Sequence, residues 1–198
     1  MHSVAVIFER LGPYHVARLE ALGRLARVDA VEVMARDRTY AWDPIERIGI
    51  PRVTLFESGA KRVGRKLRLA MAQALERIGA DAVAIPGWSA DYTIAALSWC
   101  AENGVPAVLM SDTTAQDAPR VAWREAVKRR LVSLCGGALV GGRRHVEYLV
   151  SLGMAGERIH VGYDVVDNGH FARGTQEARK DAEAVRRRFG LPEHYFLA

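Results

Sequence analysis

The chain has 198 residues, 49% hydrophobic and 26% charged, the make-up of a soluble globular domain long enough to bury one good core. No run of about 18 uncharged apolar residues occurs, which excludes a membrane-spanning helix, and the first residues lack the basic lead-in and apolar length of a secretory signal. The net charge of +5 is clustered, with Lys61, Arg62, Arg65, Lys66 and Arg68 in one group, and Arg120, Arg124, Lys128, Arg129 and Arg130 in a second that only Glu125 offsets. Such groups suit phosphates, anionic lipid or nucleic acid, or form a solvated helix face.

Residues 4–8 (VAVIF) are continuous, β-branched and apolar and read as a buried strand. Gly12-Pro13 opens a helix, since proline suits the first helical position, and Val16, Leu19, Leu22, Leu25 and Ala26 carry it to about Arg27. Strands follow at 31–34 and, past a polar loop with Tyr40 and Trp42, at 51–56. A basic helix over about 64–78 places Leu67, Met71, Ala74, Leu75 and Ile78 on one side. Residues 81–85, 107–110 and 137–140 read as strands, 158–161 as a short closing strand, with helices over about 91–101, 119–133 and 143–152 between them. The alternation predicts an α/β, doubly wound, mostly parallel Rossmann-like sheet covered on both faces.

Cys100 and Cys135 sit in apolar surroundings at no metal-ligand spacing and read as buried free thiols in a reducing compartment. Residues 163–171 are turn-rich, a charged helix is expected over about 176–189, and 195–198 read as the opening of a new strand. The expected division is a Rossmann-like domain at 1–165, then a crossover linker and the start of a further domain at 166–198.

Ligands of open parallel sheets bind beyond the carboxyl ends of the strands, where helix N-termini present N–H groups. Four loops fall there. Around Gly12, Tyr14 and His15, glycine allows close approach; His15 either bonds a hydroxyl or phosphate or packs over the sheet edge. Gly87 and Trp88 present an indole that either stacks on a sugar or anchors the rim of the core. In Ser111-Asp112-Thr113-Thr114, Asp112 either accepts a proton from an acceptor hydroxyl or caps a turn. At Gly141, Gly142, Arg143 and Arg144, an arginine at a helix start suits a diphosphate better than it suits the helix. There is no P-loop, CxxC, HExxH or GxSxG motif, and the basic groups lack the interleaved aromatics of a nucleic-acid surface.

The tract 141–171, GGRRHVEYLVSLGMAGERIHVGYDVVDNGHF, resembles the end of the N-terminal domain of group 1 (family 4) glycosyltransferases. GVPAVLMSDTT is similar to their strand and cleft loop, GPYHVARL to their acceptor-side loop and first helix, and RRRFGLPEHYFLA to the start of their donor-binding domain. The resemblance covers nearly the whole chain. It implies the N-terminal, acceptor-binding half of a GT-B fold, in a retaining enzyme moving a sugar from a nucleotide-sugar to a small-molecule, lipid or polysaccharide acceptor. The nucleotide and a glutamate pair would belong to a C-terminal donor domain missing here, so the chain alone is expected to be inactive. Asp112 is then the expected catalytic residue and Gly12 approaches the donor diphosphate. Tyr14, His15, Gly87, Trp88, Ser111, Thr113, Gly141 and Arg143 are expected to bind substrate, with no metal and no cofactor beyond the nucleotide-sugar. The resemblance also implies a cytoplasmic protein with a peripheral contact to the inner membrane face through Lys61, Arg62, Arg65, Lys66 and Arg68. The alternative is a non-catalytic acceptor-presenting or scaffold subunit of the same fold.

Overall fold

The computed structural model describes residues 2–35, 45, 48–57 and 64–196, and the chain divides into two compact units, Met1–Val165 and Val166–Ala198. Tyr40, Trp42, Lys61, Arg62, Leu197 and Ala198, all weighed above, lie outside the described residues.

The first unit is built on seven strands, β1 Ser3–Phe8, β2 Arg27–Met34, β3 Arg52–Phe56, β4 Ala82–Pro86, β5 Ala107–Ser111, β6 Gly137–Val140 and β7 Ile159–Val161. They stand in the order β3-β2-β1-β4-β5-β6-β7, and every neighbouring pair is parallel. The sheet is thus wholly parallel, which requires a crossover between successive strands. Those crossovers carry α1 Pro13–Gly23, α2 Arg65–Ile78, α3 Asp91–Asn103, α4 Ala122–Val132 and α5 Arg143–Ser151.

Alternation along β1 sends Ala5 and Ile7 to one face and Val6 and Phe8 to the other. The first face is closed by Leu67, Met71 and Leu75 of α2, Ala96 and Trp99 of α3, Val132 of α4 and Tyr148 and Leu149 of α5. The second is closed by Leu19 and Leu22 of α1 over Val28, Ala30, Ala84 and Met110. Each large apolar side chain buried this way contributes about 1.5–3 kcal/mol.

Three expected boundaries in the first unit move. The first helix ends at Gly23, not near Arg27, and β2 begins at Arg27, not Val31. Residues 27–30 pair in parallel with Ser3–Val6, so Val28 and Ala30 gain a buried place in the sheet that outweighs four more residues of helix. The helix expected from 119 starts at Ala122.

In the second unit the single expected helix is two, α6 Asn168–Lys180 and α7 Ala182–Phe189. The break is a capping residue: Asp181 leaves helical geometry at φ −138° and its carboxylate accepts the Ala184 N–H at 2.9 Å. Asp167 caps α6 likewise, accepting the His170 N–H at 2.9 Å, so the helix begins within a stretch expected to be irregular. Tyr195 and Phe196, expected to open a strand, are not in one.

One polar contact fixes the loop at the tip of β1. Glu32, 4% exposed in the middle of β2, accepts the Leu11 N–H at 3.0 Å on one carboxylate oxygen and the Thr54 hydroxyl at 3.0 Å on the other. β1's loop, β2 and β3 are thereby tied at one buried charge. Glu32→Ala leaves the Leu11 amide without its acceptor, and urea unfolding is expected to show a loss of about 2–3 kcal/mol.

Candidate functional site

Strand order reverses between β1 and β4: from β1 the chain winds to β2 and β3, then returns to β4 and winds the other way. The loops after β1 and β4 therefore part from one another, opening a crevice at the carboxyl edge of the sheet.

On the α1 side the β1–α1 loop closes on itself. The Gly12 N–H donates to His15 Nδ1 at 3.1 Å, so the other ring nitrogen carries the proton and donates to the Arg10 backbone. The ring stacks on Phe8 with centroids 4.1 Å apart. Burial, and secondarily the Arg18 guanidinium, push His15 down to about 4 despite the Arg10 contact. With the Leu11 amide on Glu32 and the Gly12 amide on His15, two backbone donors that a phosphate would need here already have partners.

Arg18, one turn along α1, reaches the segment after β7. Its guanidinium lies over the Tyr163 ring at 5.4 Å, donates to the Val165 carbonyl at 2.8 Å and pairs with Asp164 at 3.4 Å. Tyr163 packs half-buried on the patch that contains Val6, Phe8, Leu11 and Met110. Burial pushes its hydroxyl above the usual range, helped by Asp164 and Asp112 and opposed by Arg18. The Asp112 carboxylate is exposed, adds a small electrostatic push to Tyr163, and takes no part in the hydrogen bonds that shape its own loop. Those run from the Thr113 N–H to the Ser111 Oγ at 3.2 Å and from the Thr114 amide to Asp117 at 2.7 Å. The Thr114 hydroxyl and amide hold Asp117 below the usual carboxylate range. Tyr14 is 43% exposed in the first turn of α1.

On the other side Gly87 turns the β4–α3 loop at φ +68°, a conformation that favours glycine, with its N–H on the Met110 carbonyl at 2.7 Å. Trp88 is half-buried against the core and meets Tyr148 edge-on at 6.2 Å, so part of the indole anchors the rim. An apolar hollow lies behind it, lined by Ile85, Leu97, Leu109, Leu131, Val132 and Cys135. Burial pushes Cys135 up to about 11 and Cys100 up to about 12, which keeps both thiols protonated and inert.

Tyr148 belongs to a polar cluster that reading the sequence missed. Glu125, 7% exposed, accepts from Arg120 at 2.6 Å, Lys128 at 3.0 Å and the Tyr148 hydroxyl at 3.2 Å, while Lys128 also donates to that hydroxyl at 2.8 Å. The Arg120 guanidinium stands 4.5 Å over the Tyr148 ring. Burial alone would raise the Glu125 carboxyl, but Lys128, Tyr148 and Arg120 together hold it below its ordinary value. Lys128 is held above its ordinary value by Tyr148 and Glu125 against the opposing effect of burial. The basic group counted from the sequence as surface charge is thus partly internal; the i,i+3 spacing of Glu125 and Lys128 was the signal available.

At the end of β6 the His145 ring fills the space beside Gly141, where an added Cβ would stand 3.3 Å from the ring. Arg143 pairs with Glu147 at 2.9 Å on the exposed side of α5. Gly12 and His15 thus follow β1, Gly87 and Trp88 follow β4, and Ser111, Asp112 and Thr113 lie at the end of β5, the next strand outward, while Arg143 is engaged along its own helix.

No family model and no curated protein matches the chain. Solved structures do. UDP-N-acetylglucosamine 2-epimerase from Rickettsia bellii matches with a TM-score of 0.60 at 13% identity, over 97% of this chain and 52% of that one. UDP-GlcNAc 2-epimerase from Neisseria meningitidis bound to UDP-GlcNAc matches at 0.55 and 13%, over 81% and 45%. The S. aureus MnaA-UDP co-structure matches at 0.55 and 16%, over 81% and 43%. At these identities the likeness is one of fold, a Rossmann-like sheet of the GT-B-like kind, and it does not single out the group 1 glycosyltransferases. The chain spans about half the length of the solved structures it matches.

The His15 lock carries a pH dependence of definite sign. Its pKa falls from 6.5 to about 4 on folding, so between those values the unfolded chain binds more protons. The contribution is fully present above about pH 6.5 and is lost as pH falls toward 4, by up to about 3 kcal/mol. Urea unfolding at several pH values is expected to show a shallower acid slope for His15→Asn than for the wild type; equal slopes would remove the lock.

Proposed function

We propose that the first unit is the acceptor-side domain of an enzyme acting on nucleotide-sugars, and that the reaction served is glycosyl transfer. The observation that carries the acceptor side is the closed β1–α1 loop. Its amides at Leu11 and Gly12 are occupied and a buried carboxylate lies beneath it, which disfavours a diphosphate where a nucleotide-binding Rossmann domain would hold one. The crevice suits a neutral, hydroxyl-rich group instead. Asp112, exposed at the end of β5, would orient an acceptor hydroxyl and take its proton. The free part of the Trp88 indole offers a stacking face for a sugar ring. The nucleotide is then held by residues beyond those of the crevice, as in a two-domain enzyme whose halves close on their substrates.

The structural neighbours favour a second reading, inversion at C2 of the sugar in a UDP-N-acetylhexosamine, because the matched structures include UDP-GlcNAc 2-epimerases. One experiment separates the two. Saturation-transfer NMR of the 198-residue chain with UDP-GlcNAc is expected to label the sugar protons more strongly than the uridine protons, with no conversion of the ligand. Trp88→Ala should weaken binding about fivefold to tenfold, and Asp112→Asn should leave the fold and the Trp88-dependent stacking intact. Labelling that is strongest on uridine sinks the acceptor-side assignment, and appearance of the C2 epimer replaces glycosyl transfer with epimerisation.

A further inference from the structure

The helix α4 is apolar on two opposite sides. Glu125 and Val132 point inward and are buried. At about 100° per residue, Trp123, Val127 and Leu134, just past the helix end, fall on the side turned directly away from the core. They are 65%, 50% and 44% exposed. The outer side of a surface helix is ordinarily its polar side, so three large apolar groups in line need another reason.

The charges around them supply it. Arg124 and Arg130 flank the stripe and are exposed, and neither pairs with a carboxylate among the described residues. The Arg124 guanidinium sits 5.4 Å over the Trp123 ring. The one acid of the helix, Glu125, is turned inward and held by Arg120, Lys128 and Tyr148. The outer face therefore presents an indole, two aliphatic groups and two guanidinium groups that pair with no described carboxylate.

We propose that this face docks the protein on an anionic phospholipid surface. Tryptophan prefers the headgroup level of a bilayer, aliphatic groups beside it reach the acyl boundary, and arginines meet the phosphates. Among the described residues no helix is long and apolar enough to cross a membrane, and the contact lies in the plane of the interface. A second copy of the chain would bring like charges together, and nucleic acid gives no reward for Val127 and Leu134 along the axis of the patch. The basic helix α2 is a poorer platform: Arg68 pairs with Glu102 at 3.6 Å and Lys66 lies over the Phe56 ring. The proposal is independent of what the crevice binds.

Co-sedimentation of the 198-residue chain with phosphatidylcholine vesicles, with and without phosphatidylglycerol, tests it. Binding is expected only with phosphatidylglycerol. Arg124→Gln with Arg130→Gln should weaken it roughly 25-fold, at about fivefold for each arginine. Trp123→Ser with Val127→Ser should weaken it at least about tenfold and abolish a blue shift in tryptophan emission. Arg65→Gln with Lys66→Gln should leave it unchanged. Circular dichroism and the unfolding midpoint verify each fold, and Val127→Ser alone serves where the double variant misfolds. The proposal is overturned by absence of binding to the anionic vesicles, or by binding that ignores Trp123 and Val127. It is equally overturned by binding that is lost with the α2 changes, or by a short RNA displacing the vesicles from wild type and Trp123→Ser alike.

Discussion

A parallel sheet whose crossovers all turn the same way has little freedom in where its helices lie. Moving outward from β1 to β2 puts α1 on one face; moving outward from β4 through β5 and β6 puts α3, α4 and α5 on the other. The reversal between β1 and β4 follows, and so does the divergence of the two loops above it. Gly12 and Gly87 stand at that divergence, and Asp112 ends the next strand outward. No motif is needed to nominate those positions, because strand order alone does so.

Two buried carboxylates give the two walls their different character. Glu32 is satisfied by a backbone amide and a hydroxyl, which makes a stiff loop with a negative floor. Glu125 is satisfied by two cations and a phenol, joining the stem of α4 to α5 through Tyr148 and on to Trp88. Buried charge is costly unless hydrogen-bonded or paired, and each solution fixes its surroundings. On one side the fixed element is a loop whose Leu11 and Gly12 amides are engaged; on the other it is an aromatic rim beside basic groups.

Much of the fold was legible because parallel strands are buried on both faces and read as unbroken β-branched runs; β1, β4, β5 and β6 were found this way. β2 was only half visible, since Asp29 and Glu32 interrupt its apolar run although both are buried. The end of α1 was hidden by Leu25, which continues the helical spacing yet is 80% exposed. At the site, glycines and Asp112 could be nominated from their place after strands. The Arg120–Glu125–Lys128–Tyr148 cluster could not, because Tyr148 lies on another helix, 23 residues from Glu125. His15 was visible as a candidate, but which of its two roles it fills depends on where Gly12, Arg10 and Phe8 place its ring.

The same burial that organises the crevice also decides what the exterior looks like. Among the described residues Asp29, Glu32 and Glu125 are buried, while Arg10 is the buried cation. The sequence carries a formal charge of +5, and withdrawing more acid than base from the surface leaves the exterior more basic than that figure. The effect is concentrated on α4, whose one acid points inward while Arg124 and Arg130 lie on its outer side. Electrostatic attraction depends on exposed charge rather than on composition. An anionic partner therefore meets a stronger and more localised field than the sequence total suggests, on the outer side of the helix whose inner side builds the aromatic wall.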